Sequence, residues 1–198
     1  CQTVMAKWTS KNQLPLEPTR NISFTTNEGT WMSLDISPDG RTIIFDLLGD
    51  LYTIPFRGGK AKQLTTGISY DAQPVYSPDG RMIAFVSDRG GSENLWVANF
   101  DGSNPKQLSK IENGKVCSPV FSNDRNYVYV SQEKSWGMIT FEIWMYHIKG
   151  GSGIQITKAK PKDYVAKMDR PKLQRPNALG VTLSPDEKYI YYALKYGR

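Results

Sequence analysis

The sequence predicts an all-β protein assembled from repeats of one four-stranded antiparallel unit. Three observations carry this reading. The tetrapeptide SPDG stands at Ser37–Gly40 and again at Ser77–Gly80, with altered copies SNDR at Ser122–Arg125 and SPDE at Ser184–Glu187. Behind each copy runs a β-branched and aromatic stretch: RTIIFDL, RMIAFVS, NYVYVSQ and KYIYYAL. Behind the first three of these follows another such run that closes on a glycine turn: DLYTIPF with RGGK, ENLWVANF with DGSN, and FEIWMYHI with KGGS.

Each element has a local cause. In SPDG the proline presets φ at the second turn position. The aspartate tolerates the bridge region and accepts from nearby amides, and the glycine takes the left-handed conformation that follows. Ser, Asp and Gly resemble parts of a catalytic loop, but their recurrence at four equivalent positions marks them as scaffold. The strand after the turn aligns Ile43 with Ile83, Val128 and Ile190, and Phe45 with Phe85, Val130 and Tyr192. These strands are apolar on both faces, as expected of strands covered on both sides. The next strand aligns Leu51, Leu95 and Ile143, then Tyr52, Trp96 and Trp144, and ends at Phe56, Phe100 and Ile148. Its glycine turn supplies the positive φ that tight hairpins demand. A short outer strand follows as KQLTT, KQLSK or IQITK. Before each turn lies the remaining strand, WMSLDI, AQPVY, CSPVF or LGVTL.

Four strands per unit, with turns 40 and then 45 residues apart, fit the blades of a β-propeller. The expected organisation is an N-terminal tether over 1–20 and a propeller portion over 21–198. Its blades fall at about 31–66, 70–110, 116–158 and 179–198. The last turn spacing lengthens to 62 because a basic, proline-containing insert occupies 159–177, either a partner-binding loop or a decorated connection. ISFTT at 22–26 aligns with KQLTT at 62–66, so it is expected to be the outer strand that completes the last blade and closes the ring. Three blades and two strands of a fourth make an incomplete ring, and the expectation is the N-terminal piece of a longer protein.

Composition narrows the function classes. Hydrophobic residues make up 39% and charged residues 22%, an ordinary globular balance. No run approaches the roughly 18 apolar residues of a spanning helix, so membrane association is expected only through an anchor. The net charge of +6 is concentrated: seven basic residues face Asp163 and Asp169 between Thr157 and Asn177, and 18 basic nearly balance 17 acidic residues elsewhere. Such a distribution argues against a nucleic-acid partner. Cys117 stands where Ala72 stands in the preceding unit and reads as a small buried residue. Cys1 leads the chain, as the lipid-bearing cysteine leads a mature bacterial lipoprotein; otherwise it simply happens to stand first.

Catalytic chemistry is not expected from these residues. His147 is the sole histidine and cannot build a hydrolytic metal centre; no Gly-x-Ser-x-Gly elbow or Asp-x-Asp-x-Asp-Gly loop occurs. No catalytic residue, metal ligand or cofactor is therefore assigned within the chain. Binding candidates are Trp31, Asp71, Gln73 and Ser118, at or near the start of the innermost strands, where they would line the mouth of the central channel or cap strand ends.

The stretch YSPDGRMIAFVSDRGGSENLWV resembles the TolB-type propeller repeat, and the resemblance extends over 22–198 apart from the basic insert. NEGTWMSLDISPDGRTIIFDLLGDLYTIPFRGGKAKQLT is similar to the propeller preceding a metal-dependent amidohydrolase domain in bacterial envelope proteins. The resemblance implies a non-catalytic propeller portion of a periplasmic or outer-membrane hydrolase, gating or positioning substrate. A divalent metal would then sit in a downstream domain. Partners would be the rest of the same polypeptide or other envelope proteins. Two alternatives stay open: a TolB-like interaction scaffold, and the propeller of a prolyl-oligopeptidase-type peptidase.

Overall fold

The computed structural model describes residues 24–112, 114–133, 141–157 and 177–195. Those residues form fourteen strands and no helix. The first sheet contains β1 (Leu34–Ile36), β2 (Thr42–Leu47), β3 (Asp50–Pro55) and β4 (Lys62–Gln63). The second contains β5 (Asp71–Tyr76), β6 (Met82–Ser87), β7 (Asn94–Asn99) and β8 (Lys106–Gln107). The third contains β9 (Val116–Phe121), β10 (Tyr127–Glu133), β11 (Phe141–His147) and β12 (Ile154–Gln155). A two-stranded sheet of β13 (Asn177–Leu183) and β14 (Ile190–Lys195) completes the described chain. Every sheet is an antiparallel meander in sequence order, so this is an all-β, incomplete propeller. The tether with Cys1, most of the basic insert and residues 134–140 of the long third-blade loop lie outside the described residues. Phe24–Thr26, part of the expected ring-closing segment, belong to no strand, because no sheet edge pairs with them.

The SPDG turns close on the serine hydroxyl and the aspartate Oδ1 of the motif. In all four copies the serine hydroxyl donates to the aspartate Oδ1 at 2.5–2.7 Å. It also accepts from the amide that opens the next strand segment, Thr42, Met82, Tyr127 or Tyr189, at 2.9–3.0 Å. The fourth residue donates its amide to the serine carbonyl. It lies at positive φ whether it is Gly40, Gly80, Arg125 or Glu187. These serines are therefore consumed by the turn and are not free nucleophiles.

The doubly apolar strands are explained by alternation between two cores. In β6, Ile83 and Phe85 face the first blade with Ile44 and Leu51, while Ala84 and Val86 face the third with Val128 and Val130. In β7, Trp96 and Ala98 share the first of these cores, and Leu95 and Val97 the second. A third core joins Ile143 to Ala178 and Val181 of the last sheet. Stability thus resides between blades: each fully buried aliphatic or aromatic side chain contributes about 1.5–3 kcal/mol, and most of them touch a neighbouring sheet.

Candidate functional site

At the innermost strands, Gln73 and Ser118 occupy the same blade position, and both adopt left-handed backbone at φ 55 and φ 54. Gly180 fills that position in the last sheet at φ 69. Each marks a β-bulge, where the ladder slips between Ala72 and Val75, between Cys117 and Val120, and between Leu179 and Thr182. A bulge frees one amide from the ladder, and the amide needs an acceptor. Gln73 N donates to Asp46 Oδ2 at 2.7 Å, Ser118 N to Gln73 Oε1 at 2.6 Å, and Gly180 N to Ser131 Oγ at 3.1 Å. Asp46 also accepts from Ser33 N at 3.0 Å, so one carboxylate joins two blades. Asp46 and Ser131 are equivalent residues. Blade two has Val86 there, which cannot accept, and Gln73 supplies the acceptor from its own side chain instead.

The structure places Asp71 at the start of β5 with 1% exposure, paired to Arg89 Nη2 at 2.5 Å. Arg89 is held from three sides. Its Nε donates to Ser87 Oγ at 3.0 Å, and its guanidinium lies 5.2 Å from the Phe85 ring centroid and 5.3 Å from that of Trp96. Asp71 Oδ1, Asp50 Oδ1 and Trp96 Nε1 are buried without a hydrogen bond, so this cluster is costly to desolvate. Burial raises the Asp50 pKa; the Gln63 amide opposes the rise and the Asp71 charge adds to it. Trp31 projects fully into solvent. Thus Gln73 and Ser118 are hydrogen-bonded to each other, Asp71 is locked to Arg89, and Trp31 stands apart on the same rim. Exposed Leu48 and Tyr70 share this rim, and Tyr70 lies over Gly49.

Asp46 and Arg125, which bond across blades, and Arg89, which pairs within the second blade, are groups that sequence reading did not single out. Asp46 had a signal, a charge inside an otherwise apolar strand. Arg125 had another, a long side chain where the motif has glycine. On the turn rim, Arg125 Nη1 donates to Asp79 Oδ2 at 2.8 Å, from the third blade to the second. Asn123 N donates to Glu187 Oε1, and Asn123 Nδ2 donates to the Pro185 carbonyl at 2.8 Å, linking the third blade to the last sheet. The departures from SPDG are therefore the residues that tie turns together.

No group of three or more His, Cys, Asp or Glu among the described residues is placed to hold a metal. His147 ends β11, accepts from Lys149 N through Nδ1 at 3.0 Å and meets the Tyr127 ring edge-on. Cys117 is half-buried rather than buried, and burial pushes its thiol pKa up, away from nucleophilic behaviour. No helix of the described residues is long and apolar enough to cross a membrane.

Meandering four-stranded blades, bulged inner strands and repeated rim turns define an open β-propeller in which the turn serines and the bulge acceptors serve architecture. The TolB β-propeller domain (PD40) model matches residues 15–168, and the chain belongs to that family. Helicobacter hepaticus TolB, a Tol-Pal system protein, is 30% identical over 132 residues, 64% of this chain and 31% of the relative. Among solved structures, an Agrobacterium tumefaciens protein assigned as TolB superposes with a TM-score of 0.66 at 20% identity, over 88% of this chain and 61% of that one. TolB from Acinetobacter baumannii superposes at 0.56 and 19% identity, over 87% of this chain and 45% of that one. The chain spans about a third of the length of the curated relatives it matches.

Proposed function

We propose that this chain is a non-catalytic binding propeller of the bacterial cell envelope that engages protein partners through the rim carrying Trp31, Leu48 and Tyr70. The observation that carries the reading is this apolar rim, exposed on a scaffold whose inner strands are cross-linked by Asp46 and Gln73. Exposed apolar groups on a rigid polar framework mark interaction surfaces. Gln73 and Ser118 hold the channel mouth in shape, and Trp31 with its neighbours supplies contact area. The Tol-Pal system proteins among its relatives support a protein-binding role and a periplasmic setting. Attachment to the outer membrane through a lipid on Cys1 belongs to the same proposal, and the intact mass of the native protein tests it.

A second reading rests on the resemblance of residues 27–65 to amidohydrolase-linked propellers. Here the propeller positions substrate for a metal-dependent hydrolase domain of the same polypeptide. The readings separate in one experiment on the native protein in cells. A photo-crosslinking amino acid is placed at Leu48 or Tyr70, with a turn-rim control at Arg57. Crosslinks to a separate envelope protein from the first two positions alone support the scaffold. Intramolecular crosslinks to a chelator-sensitive hydrolase domain support the second reading and defeat the first.

A further inference from the structure

The blade junctions on the turn rim differ in one side chain, and the difference opens a site. Between blades two and three, Arg125 reaches back to Asp79 Oδ2 at 2.8 Å. Between blade three and the last sheet, Glu187 at the equivalent position reaches back to Asn123. Between blades one and two that position is Gly80, at φ 69, with no side chain to bridge the gap. A groove of about 650 Å³ lies there, lined among others by Asp39, Lys62, Leu64, Tyr76, Asp79 and Phe100. Its size is that of a ligand pocket.

Asp39 is the counterpart of Asp79 and is built identically. Its Oδ1 takes the Ser37 hydroxyl at 2.6 Å and the Arg41 amide at 3.1 Å, as Asp79 Oδ1 takes Ser77 at 2.7 Å and Arg81 at 3.2 Å. The outer oxygens differ: Asp79 Oδ2 accepts a guanidinium, whereas Asp39 Oδ2 has no hydrogen bond among the described residues. The fold therefore displays, one junction along, the ligand that the open junction lacks.

We propose that the groove between blades one and two binds an arginine side chain presented by a partner polypeptide, its guanidinium taking on Asp39 Oδ2 the place that Arg125 takes on Asp79. The exposed Phe100 ring and Leu64 offer a surface for the aliphatic stem and the guanidinium plane. A planar fork suits a carboxylate oxygen better than an ammonium does. Lys62 and Asp101 also line the groove and offset each other's charge, and Asp79 is taken by Arg125, which leaves Asp39 as the carboxylate for a single arginine. The site lies on the rim opposite Gln73 and Ser118, so its failure leaves the scaffold role untouched.

The probe is Nα-acetyl-arginine-amide, with the neutral isostere acetyl-citrulline-amide as control, titrated into the full chain and followed by amide chemical shifts. The expected result is saturable shifts at Asp39, Arg41, Gly80 and Phe100 with Kd on the order of millimolar, absent with citrulline. Asp39→Asn should weaken binding about threefold to fivefold, and Gly80→Arg should abolish it by filling the groove from within. Arg125 holds that φ in the next blade at a cost in left-handed strain, and Asp39→Asn serves if Gly80→Arg fails to fold. Equal shifts with citrulline, or binding unaffected by Asp39→Asn, overturn the proposal. A dimer of the unmodified chain that Asp39→Asn dissolves also overturns it, by making a second copy the occupant.

Discussion

At the residue scale, charge placement decides what each side chain contributes. Arg89 and Asp71 are 13% and 1% exposed, so removing either strands its partner in the interior. Arg89→Ala is expected to cost about 3–5 kcal/mol in chemical denaturation. Arg89→Leu combined with Asp71→Leu should recover most of that loss, because no uncompensated charge remains. Arg125 behaves differently, with its side chain half exposed and its backbone at φ 64. Arg125→Gly removes an exposed ion pair but relieves left-handed strain, and stability should change by less than about 1 kcal/mol. Its signature is electrostatic. Burial pushes Asp79 up, but the Ser77 and Arg125 hydrogen bonds outweigh it and hold the pKa at about 2. A depressed carboxylate stabilises the fold above its unfolded pKa near 4, and that contribution is lost as pH falls toward 2. In Arg125→Gly the carboxyl resonance of Asp79 should titrate at higher pH and acid unfolding should begin earlier; an unchanged titration would refute the assignment.

At the element scale, the inner strands are bulged, and each bulge transfers one amide from its own ladder to a neighbouring blade or strand. Gln73→Ala leaves the Ser118 amide without its acceptor and should cost about 1–3 kcal/mol, with faster hydrogen exchange at Ser118. Gln73→Gly loses the same bond but gains about 1 kcal/mol from relief at φ 55, so it should be the milder of the two. Gln73→Glu retains an acceptor and should keep the Ser118 amide protected. Equal exchange in all three variants would show that the bulge amide does not depend on this side chain.

At the scale of the whole molecule, the blades meet through three inter-sheet cores and the two ends of the arc carry apolar faces. Leu34 and Ile36 are exposed on the first sheet, and Tyr189 and Tyr191 on the last. Open sheet faces of this kind drive association. The isolated 198-residue chain is expected to self-associate with rising concentration in analytical ultracentrifugation. Leu34→Lys with Ile36→Lys should shift it toward monomer without altering the fold, since both side chains already face water. A monomer at all concentrations before mutation would show that these faces are not adhesive.

The repeat was legible because its causes are local: SPDG presets its own turn, period-two apolar runs form strands, and glycine turns reverse them. Doubly apolar strands such as β6 even announced that both faces would be covered. Other features depend on which residues the arc brings together, across 27, 45 and 46 positions for the bonds from Asp46 to Gln73, Gln73 to Ser118 and Asp79 to Arg125. SNDR reads in the chain as a weakened SPDG, and only the neighbouring blade shows that its arginine is a bridge. Gln73 and Ser118 could be singled out on the innermost strands, but their mutual bond required the bulge, which no propensity encodes. The sequence alone determined the unit and its repetition, because short-range sterics and hydrogen bonding suffice for a blade. Tertiary structure decided which carboxylates are satisfied and which, like Asp39, face an open groove, because that depends on the side chain the adjacent blade offers.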